Sequence, residues 1–187
     1  MLKVLITHAV IDEMIAVNFP DCDIKYVRTG IGKVKAAIRL MDALTQCDPD
    51  IVINIGTAGS VDHNVGDIFV CRHFIDRDLQ KVGCLDLEHE IDSSALLENK
   101  GYCVNWEYNG ICNTGDSFLT ETADSHGDVF DMEAYAQAQV CQIKSIPFIS
   151  VKYITDRIGE NSIKHWEDKL ADARVGLSDF LNNRSLK

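Results

Sequence analysis

Unbroken apolar runs punctuate the chain, and alternating ones are scarce. "KVLIT" (Lys3 to Thr7) and "DIVINIG" (Asp50 to Gly56) have this form, which predicts strands buried on both faces. Between them "GKVKAAIRLMDALTQ" switches to helical spacing, with Val34, Ala37, Ile38, Met41 and Leu44 on one predicted face. Cys47-Asp48-Pro49-Asp50 closes that helix. The β-α-β order argues for an α/β fold. Further along, "GDIFVCRHFID" predicts a strand, and "YCVNWEYNGICNTGD" one or two strands with Asn109-Gly110 as a turn. "DMEAYAQAQVCQIKS" predicts a helix ending before Pro147, "PFISVKYITD" a buried strand, and "WEDKLADARVGLSDFLNNR" an amphipathic terminal helix.

At 187 residues, without repeat, linker or low-complexity tract, residues 1–187 are expected to form one domain. Lys plus Arg number 18 against 29 Asp plus Glu, a formal net charge of -11. That balance repels nucleic acid and anionic membrane surfaces, which leaves a small molecule or a protein as the expected partner. No apolar run has the roughly 20 residues that span a bilayer, and "MLKVLITHAV" lacks the basic start of a signal peptide. Seven scattered cysteines, with no CxxC, suit reduced and mostly buried thiols in a cytoplasm.

Several motifs fail on inspection. "RTGIGKVKAA" has Val27 and Val34 where a P-loop needs Gly and Ser or Thr, and Lys35 where a dinucleotide fingerprint needs its third Gly. A tight turn into a helix is the plainer reading. Cys71, His73, Cys84 and His89 fit no zinc spacing, so neither a metal nor an organic cofactor is expected. "GTAGS" carries Ala58 where a nucleophile elbow carries serine.

The acids are more informative. Glu13 lies just beyond the first strand, while Glu133 and Asp156 lie at the carboxyl ends of others. Ligands of open α/β sheets bind outside the carboxyl ends of strands. Taken singly, each acid reads as a helix cap or a solvated side chain. Three of them at corresponding positions point to a site, although spacing alone leaves both readings open.

Six segments in order, "HAVIDEM", "TGIGKVKAA", "DIVINIGTAGSVDHNVGDIFV", "NTGDSFLTE", "VFDMEAYAQAQVC" and "PFISVKYITD", resemble the purine nucleoside phosphorylase superfamily. Within it they look like the 5′-methylthioadenosine/S-adenosylhomocysteine nucleosidases. The resemblance implies a central mixed sheet flanked by helices and hydrolysis of the N-glycosidic bond of a purine nucleoside, adenine first among the bases. It implies Asp156 as the acid at purine N7, Glu133 on the ribose hydroxyls and Met132 beneath the ribose. Glu13 would activate water, Phe118 stack on the base, and Leu119 offer backbone groups to the base edge. Thr57, Ala58 and Gly59 would line a turn near the attacking water. A homodimer is implied as well.

These residue types suit the chemistry. An N-glycosidic bond breaks through an oxocarbenium-like state. An acid neutralises the leaving base, a carboxylate stabilises the sugar cation, and a second carboxylate takes a proton from water. Phosphorylases need cations for phosphate, yet the segment before "GTAG" carries Asn54 and no Arg, and Glu13 would repel the anion. Arg28 and Lys152 keep phosphorolysis open. Lys152 stands where the nucleosidases usually carry Arg. The stretch from Phe74 to Cys112 is shorter than the family's, which leaves the 5′ substituent open, futalosine-type nucleosides included. Trp166 is a candidate aromatic over the 5′ pocket, or else a helix residue packed on the core. A nucleoside-binding protein without turnover is the remaining alternative.

Overall fold

In a computed structural model of the chain, residues 1–82, 87–103, 105–121, 126–160 and 162–187 are described. The strands are β1 (Leu2–His8), β2 (Cys22–Arg28), β3 (Ile51–Ser60), β4 (Ile68–Asp76), β5 (Glu90–Asp92), β6 (Gly110–Thr114), β7 (Val129–Asp131) and β8 (Phe148–Arg157). The helices are α1 (Lys33–Gln46), α2 (Arg77–Gln80), α3 (Ser94–Lys100), α4 (Ala134–Lys144) and α5 (Ser162–Asn182), with a 3-10 turn at Ile11–Glu13.

All eight strands join one mixed sheet. Its path runs β2-β1-β3-β7-β6-β4-β5, and β8 pairs both β3 and β4. The ring β3-β8-β4-β6-β7 therefore closes on itself, and the contact β3 makes with β7 is the single antiparallel pair Gly59 with Phe130. The apolar runs alternate across this sheet. Val4, Ile6, Ile51, Ile53 and Ile55 pack with Ala173, Leu177 and Leu181 of α5, while Leu5, Val52 and Phe148 pack with Leu40 of α1 and Ala138 and Cys141 of α4. Both faces are covered, so an unbroken hydrophobic run is what each central strand needs. No helix among the described residues is long and apolar enough to cross a membrane.

Three expectations are corrected. Val34 and Ile38 lie on the exposed side of α1, at 67% and 63% accessibility, and its fully buried residues are Ala36 and Leu40. Leu40 packs in the cluster that holds Ala138 and Cys141 of α4, with Ala37, Met41 and Leu44 at its edge, so the covered face is the predicted one without Val34 and Ile38. Residues 57–59 form no turn: β3 runs through them to Ser60, with a register shift against β8 between Ala58 and Gly59. Asn109-Gly110 is not a hairpin turn either. The Asn109 carboxamide accepts from Val70 N at 2.8 Å and Gly110 opens β6, so tertiary pairing to β4 fixes the dipeptide.

Candidate active site

Asp131 and Glu133 divide the work of the "DMEA" segment. Asp131 ends β7 and caps α4, accepting from Ala134 N at 2.9 Å and from the Thr114 hydroxyl at 2.6 Å. It also pairs with the Lys152 ammonium at 2.8 Å, with both side chains almost fully buried. Glu133 is thereby released from capping. It reaches instead to the start of α1 and accepts from Gly32 N at 2.9 Å. Gly32 holds φ near 97°, a left-handed conformation that glycine adopts without a Cβ clash and that directs this N–H across the gap.

Burial and then the neighbouring Asp131 carboxylate push the Glu133 carboxyl up to about 8, against Lys152 and the Gly32 N–H; Glu13 adds to the rise. Burial would also raise Asp131, but the Lys152 ammonium and the hydrogen bonds it accepts hold it below the ordinary carboxylate value. Lys152 is correspondingly raised: burial opposes the charge, and Asp131 more than offsets that. Environment thus pushes two carboxyls two residues apart in opposite directions, a pattern that suits acid–base chemistry.

Glu13 closes the 3-10 turn after β1. Its Oε2 accepts from Ala9 N (3.1 Å) and Val10 N (3.2 Å), and its Oε1 accepts from Thr57 N and the Thr57 hydroxyl, both at 2.8 Å. Asp156, at the end of β8, is 2% accessible and accepts from the Thr155 hydroxyl at 2.9 Å. Glycines on β3 make room for both acids. A Cβ on Gly56 would meet Glu13 Oε1 at 2.9 Å, and one on Gly59 would meet Asp156 Oδ2 at 2.9 Å. The "GTAG" run therefore carries glycine at the two positions of β3 where a carboxylate presses against the strand.

These groups surround a cavity of about 230 Å³. Glu13, Thr57, Ala58, Gly59, Phe118, Leu119, Met132, Glu133, Asp156 and Trp166 all line it, and Lys152 stands behind it on Asp131. Asn54 faces away into a buried polar layer, where it donates to Thr7 and accepts from Ser150. Of the other cation candidates, Arg28 is exposed at the end of β2. Cys84 lies outside the described residues; His73 pairs with Glu90, the His89 ring bonds the Leu87 carbonyl, and no metal-holding group of His, Cys, Asp or Glu occurs among the described residues.

Arg77 is a lining residue that the sequence did not mark. It is 1% accessible and donates to the Ser117 carbonyl at 2.9 Å, behind the Phe118 loop. Its guanidinium lies against Gly115, where a Cβ would approach within 2.5 Å, and its Nε has no hydrogen-bond acceptor among the described residues. An Arg following the acidic end of a strand was the available signal, and it reads equally well as a surface helix start.

A family model described as the phosphorylase superfamily matches residues 11–180, and the chain belongs to that family. Among curated relatives, it is 30% identical over 191 residues to the 5′-methylthioadenosine/S-adenosylhomocysteine nucleosidase of Bacillus subtilis, covering 88% of this chain and 81% of the relative. The nucleosidase of the same name from a Marinomonas strain is 29% identical over 176 residues, covering 82% and 76%. The fold matches that of the Helicobacter pylori nucleosidase solved with butyl-thio-DADMe-Immucillin-A (TM-score 0.79, 19% identity, 98% and 97% covered). It also matches the native futalosine hydrolase of Helicobacter pylori (TM-score 0.78, 19% identity, 96% and 95% covered).

Proposed function

We propose that the protein is a nucleosidase that hydrolyses the N-glycosidic bond of a purine nucleoside, with adenine as the base and a 5′-thio substituent as in 5′-methylthioadenosine or S-adenosylhomocysteine. The observation that carries this reading is the convergence of Glu13, Glu133 and Asp156, from three distant segments, on one cavity with Phe118 and Trp166 on its wall. Glu13 is the base: water gives it a proton as the water oxygen bonds C1′. The C1′–N9 electron pair leaves on the purine, and Asp156 gives its proton to N7 so that the base departs neutral. Glu133 holds the ribose hydroxyls over Met132, Phe118 stacks on the base, and Leu119 meets the base edge. Thr57, Ala58 and Gly59 flank the water. Lys152 acts on the site through Asp131, and Trp166 closes the 5′ end with Val10 and Ile31.

The names of the relatives support this substrate class, and Lys152 is already committed to Asp131 at 2.8 Å. One observation favours phosphorolysis: Arg77 brings to the cavity wall a cation whose Nε–H has no acceptor among the described residues. Incubation of a nucleoside panel (5′-methylthioadenosine, S-adenosylhomocysteine, inosine, futalosine) with and without phosphate decides between them. Free adenine without phosphate is expected. Ribose 1-phosphate formation would replace hydrolysis by phosphorolysis, and tight binding without turnover would reduce the chain to a nucleoside-binding protein. The working form is a cytoplasmic homodimer on this reading. Sedimentation checks the dimer, and a fully active monomer would remove it.

A further inference from the structure

Trp166, on α5, donates its indole Nε1–H to the Thr57 hydroxyl oxygen at 2.8 Å, and that hydroxyl lies 2.8 Å from Glu13 Oε1. Hydrogen-bond chemistry gives this chain a direction. An indole N–H can only donate, and the ionised carboxylate from which hydrolysis starts can only accept. The hydroxyl between them has one proton, so it accepts from Trp166 and gives its O–H to Glu13. A carboxylate offers about four lone-pair sites, and here four donors fill them: Thr57 N and its hydroxyl on Oε1, Ala9 N and Val10 N on Oε2. Three of the four are backbone groups fixed by β3 and the turn after β1. The Thr57 hydroxyl is the one side-chain donor of the four, and its direction is set by Trp166.

A water that attacks C1′ must meet Glu13 in a fixed orientation, and it meets least competition at Oε2, whose contacts of 3.1 and 3.2 Å are the longer pair. We infer that Trp166 is a positioning residue for Glu13: by donating to the Thr57 oxygen it turns that hydroxyl's O–H onto Oε1 and so holds the carboxylate towards the attacking water. A phenyl ring at this place would line the cavity equally well and donate nothing. The inference rests on the nucleosidase reading, in which Glu13 is the base.

The two tryptophans of the chain allow a direct test. Trp106 donates to the Ser185 carbonyl at 2.7 Å, so its indole signal is an internal reference for the fold. In ¹⁵N-labelled protein, Thr57→Val shifts the Trp166 indole N–H resonance and leaves that of Trp106 in place, while Thr57→Ser preserves both. Two unmoved signals in Thr57→Val would overturn the inference whatever the activity. Kinetically, Trp166→Phe lowers kcat on the order of 5- to 10-fold, the loss of one neutral hydrogen bond, at unchanged KM. The double variant is no slower than Thr57→Val alone. A raised KM at constant kcat, or losses that multiply in the double variant, would leave Trp166 as a lining residue only. Glu13→Gln separates the two levels. If it hydrolyses at the parent rate, the base assignment falls and the relay with it; if it is inactive beside a Trp166→Phe of full kcat, the relay alone falls.

Discussion

Glu133→Gln should make the protein more stable at alkaline pH and nearly inactive. The Glu133 carboxyl is pushed from its ordinary 4.5 to about 8, chiefly by burial and by Asp131. A raised folded-state value means that the folded protein keeps a proton the unfolded chain releases. The stabilisation is therefore complete below pH 4.5, falls between 4.5 and about 8, and is gone above that. The full difference corresponds to a ceiling of about 5 kcal/mol at about 1.4 kcal/mol per pH unit. The carboxyl lines the open cavity, where water relaxes around the ionised form, so about 2–3 kcal/mol is the working expectation. Glutamine has the same shape, carries no charge and titrates nowhere. Against the variant, the parent should lose roughly 5–10 °C of melting temperature between pH 5 and 9, at about 2–4 °C per kcal/mol for a chain of this size. Melting curves of both proteins across that range, with adenine release measured alongside, make the check. A difference in melting temperature that stays flat with pH would refute the account of a carboxyl kept neutral by its surroundings. Parent-like release from Glu133→Gln would refute its place on the ribose.

Asp156→Asn should keep the melting temperature within a few degrees and cut kcat by about 10²- to 10⁴-fold, as removal of a general acid does; turnover at the parent rate would remove the assignment. Lys152→Met should cost about 3–5 kcal/mol, because Asp131 is left charged and buried without its partner, and denaturant unfolding at neutral pH measures it. Asp131 is held below its ordinary value, so its contribution is present above the carboxylate range and is lost as the pH falls; the Lys152→Met deficit should accordingly shrink in acid. Gly59→Ala places a methyl 2.9 Å from Asp156 Oδ2 and 3.3 Å from Ile158. It should cost about 1–3 kcal/mol and lower kcat more than it raises KM, and an alanine variant with parent kinetics would show that the strand gives way freely.

The central strands, α1, α4 and α5 were legible because a strand covered on both faces demands an unbroken apolar run and a covered helix a 3.6-residue period. The three acids and the "GTAG" glycines were legible as residue types at strand ends. The edge strand β2 and the three-residue β5 are paired by their neighbours more than by their own composition. β2 alternates half-buried and exposed residues at the edge beside β1, and β5 spans three residues on β4. Which acid does what was decided only in three dimensions. Asp131 and Glu133 are the same chemistry two residues apart in sequence. Lys152 neutralises one of them and a glycine N–H from another helix meets the other. Trp166 and Arg77 gained their contacts in the same way, from Thr57 and Ser117 across 109 and 40 residues of chain. The local pattern decides which runs become buried strands, because a strand covered on both faces needs apolar residues throughout, but it left the buried face of α1 to packing, which turned Val34 and Ile38 outward. Directed hydrogen bonds and charge pairs depend on which distant segment arrives opposite, and closure of the β3-β8-β4-β6-β7 ring determines that.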